Sequence, residues 1–113
     1  MTKPGRIIFD VDQFLALLAS EVGSMELAER MYELKCRYEV AIGIISKEDA
    51  ARTLGGTAWL TEFRERHGVA PSLLIYDPGK VEAIVVAELG VEARFAQRFT
   101  ECEEGYMRGI GLI

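Results

Sequence analysis

The segment Val40-Ala-Ile-Gly-Ile-Ile45 is short, unbroken in its apolar character and bounded by the polar residues Glu39 and Ser46. A strand covered on both faces reads this way, and the central strands of parallel sheets are covered on both faces. Comparable runs occur at Arg6-Ile-Ile-Phe-Asp10 and Leu73-Leu-Ile-Tyr76. Val91, Ala93 and Phe95 alternate as a fourth strand, and Ile110 to Ile113 forms a short last one.

Between these runs the period changes to that of a helix. Residues 13–21 read as a helix ended near Gly23, and Ser24 caps a second whose stripe is Leu27, Met31, Leu34 and Tyr38; that spacing is helical. Ser46-Lys-Glu-Asp49 resembles a capping box, Gly55-Gly56 breaks the helix it opens, and Thr57 caps a continuation to His67, closed by Gly68. Asp77-Pro-Gly79 is a turn before a helix from about Lys80 to Leu89, stopped by Gly90. Thr100-Glu-Cys-Glu103 opens a last helix closed by Gly109. Strands alternating with helices predict right-handed crossovers: a Rossmann-like three-layer α/β sandwich with a mostly parallel sheet of about five strands.

With 113 residues the chain suits a single domain spanning 1–113, since two cores would each be too small. The net charge of −5 and the lack of a Lys/Arg cluster argue against general nucleic-acid binding. Cys36 and Cys102 have no CxxC or Cys/His spacing, which makes them free thiols of a reducing compartment. Asp10 and Asp12 interrupt any signal-peptide pattern and no apolar stretch is long enough to span a bilayer. The expectation is a cytoplasmic protein without a membrane segment.

In parallel α/β sheets, ligands sit beyond the carboxyl ends of the strands. That rule selects Asp10–Asp12, Ser46–Lys47, Asp77–Lys80 and Gln97–Thr100. On extended backbone Asp10 and Asp12 leave on one face, close enough to share a cation or a proton; alternatively Asp12 caps the first helix and Asp10 sits in a turn. Ser46 is either a phosphate seat at a helix start or that helix's cap. Lys80 falls at a helix start, where the helix dipole disfavours a cation and a facing anion would favour one. Phe14, Trp59 and Phe63 have the spacing of core residues, and His67 that of a helix C-terminus.

Ile7-Ile-Phe-Asp10-Val-Asp12, Ile44-Ile-Ser46-Lys47 and Gly79-Lys80 before Glu88-Leu-Gly-Val91 together resemble, in order, the first three motifs of haloacid dehalogenase-like (HAD) phosphatases. Arg94 to Ile113 is similar to that family's fourth strand, helix and fifth strand. The resemblance implies a small Mg²⁺-dependent phosphatase without a large cap domain, open to a small phosphorylated substrate or a phosphorylated macromolecule end. Asp10 would be the nucleophile and Asp12 the general acid/base, both contributing to the metal. Ser46 would hold the phosphoryl group and Lys80 would neutralise it, with Lys47 beside them in the substrate site.

Gln13 and Phe14 stand where the family carries Gly and then Thr or Val, and Ala96-Gln97-Arg98 holds no carboxylate where the fourth motif supplies one. Two functions therefore follow. One is a slow phosphatase assisted by Glu101; the other is a catalytically inactive HAD-like domain that binds a ligand or a protein. A PIN-like nuclease, whose first strand also ends in Asp, leaves Ser46 and Lys80 without a role. The apolar C-terminus is an edge strand or pairs with another copy to form a homodimer.

Overall fold

A computed structural model describes residues 9–71 and 75–111. The elements are α1 (Val11–Val22), α2 (Met25–Ala41), α3 (Lys47–Thr53), α4 (Leu60–His67), α5 (Pro78–Leu89) and α6 (Ala93–Gly109), and among the described residues there is no strand. The expected α/β sandwich with its Rossmann-like parallel sheet is therefore corrected to a helix-on-helix architecture.

Each helix begins where the local chemistry favours it. Asp10, Ser24, Ser46 and Asp77 accept backbone N–H bonds at the starts of α1, α2, α3 and α5. Gly23, Gly68 and Gly90 close α1, α4 and α5 in the left-handed conformation. Thr57 is not the α4 cap; it lies one turn earlier, where its carbonyl accepts from the N–H of Leu60.

Of the run 40–45, Val40, Ala41 and Ile42 are buried without being a strand, and Ile44 is exposed. The stripe Leu34, Tyr38 continues at helical spacing into Ala41 and Ile42, so α2 runs on through Ala41. Gly43, at φ 90°, then reverses the chain, and the N–H groups of Ile44 and Ile45 return to the carbonyl of Glu39. A short apolar run has the same appearance in a covered strand and at a buried helix end. The expected fourth strand fails similarly. Glu92 is the extended cap residue of α6, whose buried positions Ala96, Phe99, Glu103 and Tyr106 follow a helical period. That helix thus starts a full turn and more before Thr100.

Of the remaining expected strands, residues 6–8, 73–74 and 112–113 lie outside the described residues. Phe9, Asp10, Ile75 and Tyr76 are not in strands, and Ile110 and Gly111 form a turn. Extended backbone still requires partners for its polar groups. Here tyrosine hydroxyls supply them: Tyr106 Oη accepts from the N–H of Asp10 at 3.1 Å, and Tyr38 Oη accepts from the N–H of Asp77 at 3.2 Å.

Four helices close a ring, α1 on α2, α2 on α5, α5 on α6 and α6 back on α1. Phe14, Leu18, Met31, Tyr38, Ile84 and Phe99 fill it. Phe14 is at its centre, its ring 5.5–5.9 Å from those of Phe9, Tyr32, Phe99 and Tyr106. The short helices α3 and α4 pack on the outside of α2, and α3 buries only Ala50. Among the described residues, no helix is long and apolar enough to cross a membrane.

Candidate functional site

Asp10–Asp12, Ser46–Lys47 and Asp77–Lys80 lie at the starts of three different helices, and Gln97–Thr100 lies within α6. Asp10 Oδ1 accepts from the N–H of Gln13 at 3.1 Å, so Asp10, not Asp12, caps α1. Asp12 is exposed in the first helical turn. Because the backbone is already helical at Val11, the common face expected of the two carboxylates is lost. Ser46 Oγ accepts from the N–H of Asp49 at 3.2 Å and donates to its carboxylate, which is also paired with Arg52. Lys47 is exposed beside it. Lys80 lies in the first turn of α5, in a cleft with Tyr38, Val69, Ile75 and Asp77. Gln97 and Arg98 are exposed on α6, and Arg98 approaches Glu21 at 3.8 Å.

Mg²⁺ needs several oxygen ligands, one or two of them usually carboxylates. Among the described residues no group of three His, Cys, Asp or Glu side chains converges, and Asp10 and Asp12 have no third ligand there. Asp10, Ser46 and Lys80 instead stand at the caps or first turns of α1, α3 and α5.

Two other features stand out. The first is a charged cluster between α2 and α6. Lys35 Nζ lies 3.4 Å from Glu39 and 3.3 Å from Glu103, with the two side chains of the longer-range pair 14% and 5% exposed. Tyr76 Oη donates to the other Glu103 oxygen at 3.1 Å. The rings of Phe9, Tyr32 and Tyr76 surround the ammonium at 5.5–5.9 Å. Burial works to lower the Lys35 value, but the carboxylates of Glu39 and Glu103 outweigh it and hold the amine above its ordinary range. Burial raises Glu39 despite Lys35, and burial raises the phenols of Tyr32 and Tyr76. The amine is therefore held as a cation between the two carboxylates.

Sequence reasoning missed this cluster, although a signal was present. Glu103 falls within the Ala96–Phe99–Tyr106 stripe, and Lys35 sits four residues after Met31 and three before Tyr38. Opposite charges placed at core positions of two helices point to one another.

The second feature is a groove of about 410 Å³ between α1, α2 and α3. Leu15, Tyr32, Cys36 and Leu54 supply its apolar surface, and Glu29 and Glu33 its carboxylates, with no Lys or Arg in the lining. Tyr32 belongs to both features: its ring lies 5.5 Å from the Lys35 ammonium and it lines the groove. Burial, reinforced by Glu39 and offset in part by Lys35, raises the Cys36 thiol above its ordinary value. It lines the groove as a small apolar group.

On the opposite side, α4 and α5 are joined by a polar cluster. His67, the last residue of α4 and largely buried, has Nε2 2.8 Å from Glu88 Oε2, which Arg66 Nη1 also reaches at 2.6 Å. Burial alone would raise Glu88; hydrogen bonds from Arg66 and His67 outweigh it and lower the carboxyl below its usual range. The Phe63 ring packs on His67 at 4.7 Å, and Trp59 lies edge-on to Phe63, as their spacing predicted.

A scan against protein-family models finds no match, and searches of the curated proteins and of the solved structures find none either.

Proposed function

We propose that this chain is a binding module that takes a segment of another protein in the groove between α1, α2 and α3. One observation carries the reading: an apolar concavity of about 410 Å³ opens between helices, with Glu29 and Glu33 in its lining. Sites that seat a partner's side chains are mostly apolar and concave, with a few polar groups that set orientation. The lightly buried α3 forms one wall, so that wall can shift by a small amount without disturbing the four-helix ring.

This is the binding alternative expected from the sequence, separated from the α/β fold with which it was first associated. The phosphatase alternative drew its geometry from parallel strand ends. Asp10, Ser46 and Lys80 now serve α1, α3 and α5 separately, and no observation here favours that reading over binding. A cytoplasmic setting accompanies the proposal, supported by the two free thiols Cys36 and Cys102.

Selection from a random peptide library displayed on phage tests it. Peptides enriched on the wild-type protein should lose binding to a Leu15→Asp/Leu54→Asp variant that keeps the wild-type circular-dichroism spectrum. Enrichment unaffected by that variant, or no enrichment at all, overturns the proposal.

A further inference from the structure

The geometry points to a partner of particular chemistry for this groove: a basic amphipathic helix, with an apolar face on Tyr32 and Leu54 and Lys or Arg toward Glu29 and Glu33. The inference rests on the binding reading above and adds the partner's conformation and charge.

Conformation follows from the walls. Extended peptides commonly dock by adding a strand to an open sheet edge, and the described residues contain no strand to offer one. A groove between helices instead receives a helix, whose apolar side chains project at positions one turn apart.

Charge follows from the lining. Glu29 and Glu33 are one helical turn apart on α2, and Glu26, also exposed, extends the same row by a further turn. The row spans about 10 Å at the rise of an α-helix, which matches cations spaced at i, i+3 or i+4, and i+7 on a partner lying alongside. Glu29 has no ion-pair partner among the described residues. Glu33 is paired with Arg37 at 3.2 Å, an exposed contact within one helix that an incoming cation can replace at little cost. An acidic helix would meet the carboxylates of Glu29 and Glu33 with no Lys or Arg in the groove lining to receive it, whereas a basic one is drawn in by the chain's net charge of −5.

Two synthetic peptides of about 15 residues, a length at which a free helix is marginal, supply the test. Both carry the same leucine face; one has Lys and the other Glu on the flanks. Their affinities are read by fluorescence anisotropy at low and high salt, and the contact surface by amide chemical shifts. The Lys peptide should bind at least about tenfold tighter at low salt, roughly 1.4 kcal/mol. It should weaken as salt rises and perturb amides of α1, α2 and α3. A Glu29→Lys/Glu33→Lys variant should reverse the preference.

Equal binding of both peptides in the groove overturns the charge inference and leaves the binding reading standing. Perturbations confined to another surface, or no binding by either peptide, overturn the helical-partner inference, while the phage selection decides the reading beneath it. A preference for the Lys peptide that survives charge reversal shows that Glu29 and Glu33 are not its cause and also overturns the inference.

Discussion

Replacing Lys35 by methionine removes the cation shared by Glu39 and Glu103 while keeping much of the stem that packs beneath Tyr32 and Tyr76. Two partly desolvated carboxylates then face each other without a counter-ion. Breaking a buried ion pair by removing one partner costs about 3–5 kcal/mol. Lys35 retains 14% side-chain exposure, so some water reaches the site and the expected loss is at the lower end, about 3 kcal/mol. For a domain of this size that is a large share of a total stability of roughly 5–15 kcal/mol.

Glu103→Leu provides the second edge of a thermodynamic cycle. Alone it strands the Tyr76 hydroxyl and leaves Lys35 with Glu39 only. Combined with Lys35→Met it removes both members of the Lys35–Glu103 pair, leaving only Glu39 without its cation, and replacing both partners of a pair costs less than breaking it. The double variant should therefore be more stable than the sum of the single losses implies, with a coupling of about 1.5–3 kcal/mol. Urea denaturation followed by far-ultraviolet circular dichroism reads all four proteins, and an unchanged slope confirms comparable unfolding. A Lys35→Met loss under about 1 kcal/mol, or additive single losses, would refute the claim that this cluster clamps α2 to α6.

Alkaline pH should destabilise the protein. The thiols of Cys36 and Cys102, the phenols of Tyr32 and Tyr76 and the amine of Lys35 are all raised in the folded state, so the unfolded chain loses those protons first. Their contribution is complete below the ordinary thiol value of 9.0 and declines as pH rises past 9.0, 10.0 and 10.5, the ordinary values of Cys, Tyr and Lys; thermal melts across that range check it. Asp10→Asn should leave stability nearly unchanged because Asn is as good a helix cap, whereas Asp10→Ala should cost about 0.5–2 kcal/mol in urea titrations. Equal losses in both variants would point to a role for the carboxylate charge beyond capping. Cys36 should react slowly with iodoacetamide near neutral pH and accelerate as pH approaches its raised value, read by mass spectrometry of the labelled peptide. Fast labelling at neutral pH would contradict the protonated thiol.

Helix boundaries were largely legible before the fold was known, for local reasons. A serine hydroxyl such as that of Ser24 or Ser46 bonds an N–H three residues on, and Gly68 or Gly90 adopts a left-handed backbone that other residues avoid. The candidate site was less legible. In the sequence, Asp10, Ser46 and Lys80 form one group only if each follows a parallel strand, so the grouping depends on the sheet. Without the sheet, the same residues separate into two caps and a lysine in the first turn of a third helix. Lys35 and Glu103 lie on different helices, and their pairing becomes visible only when α2 and α6 meet.

By itself the amino-acid order determined the starts and stops of most helices, the Met31–Leu34–Tyr38 stripe and the absence of paired-cysteine spacing, because those properties depend on neighbours within a turn or two. Tertiary structure alone decided whether Val40–Ile45 was a covered strand or a buried helix end. A short apolar run looks the same in either case, and only the partner packed against it distinguishes them. Here that partner is a ring of helices, with tyrosine hydroxyls accepting from the N–H groups of Asp10 and Asp77 on extended backbone.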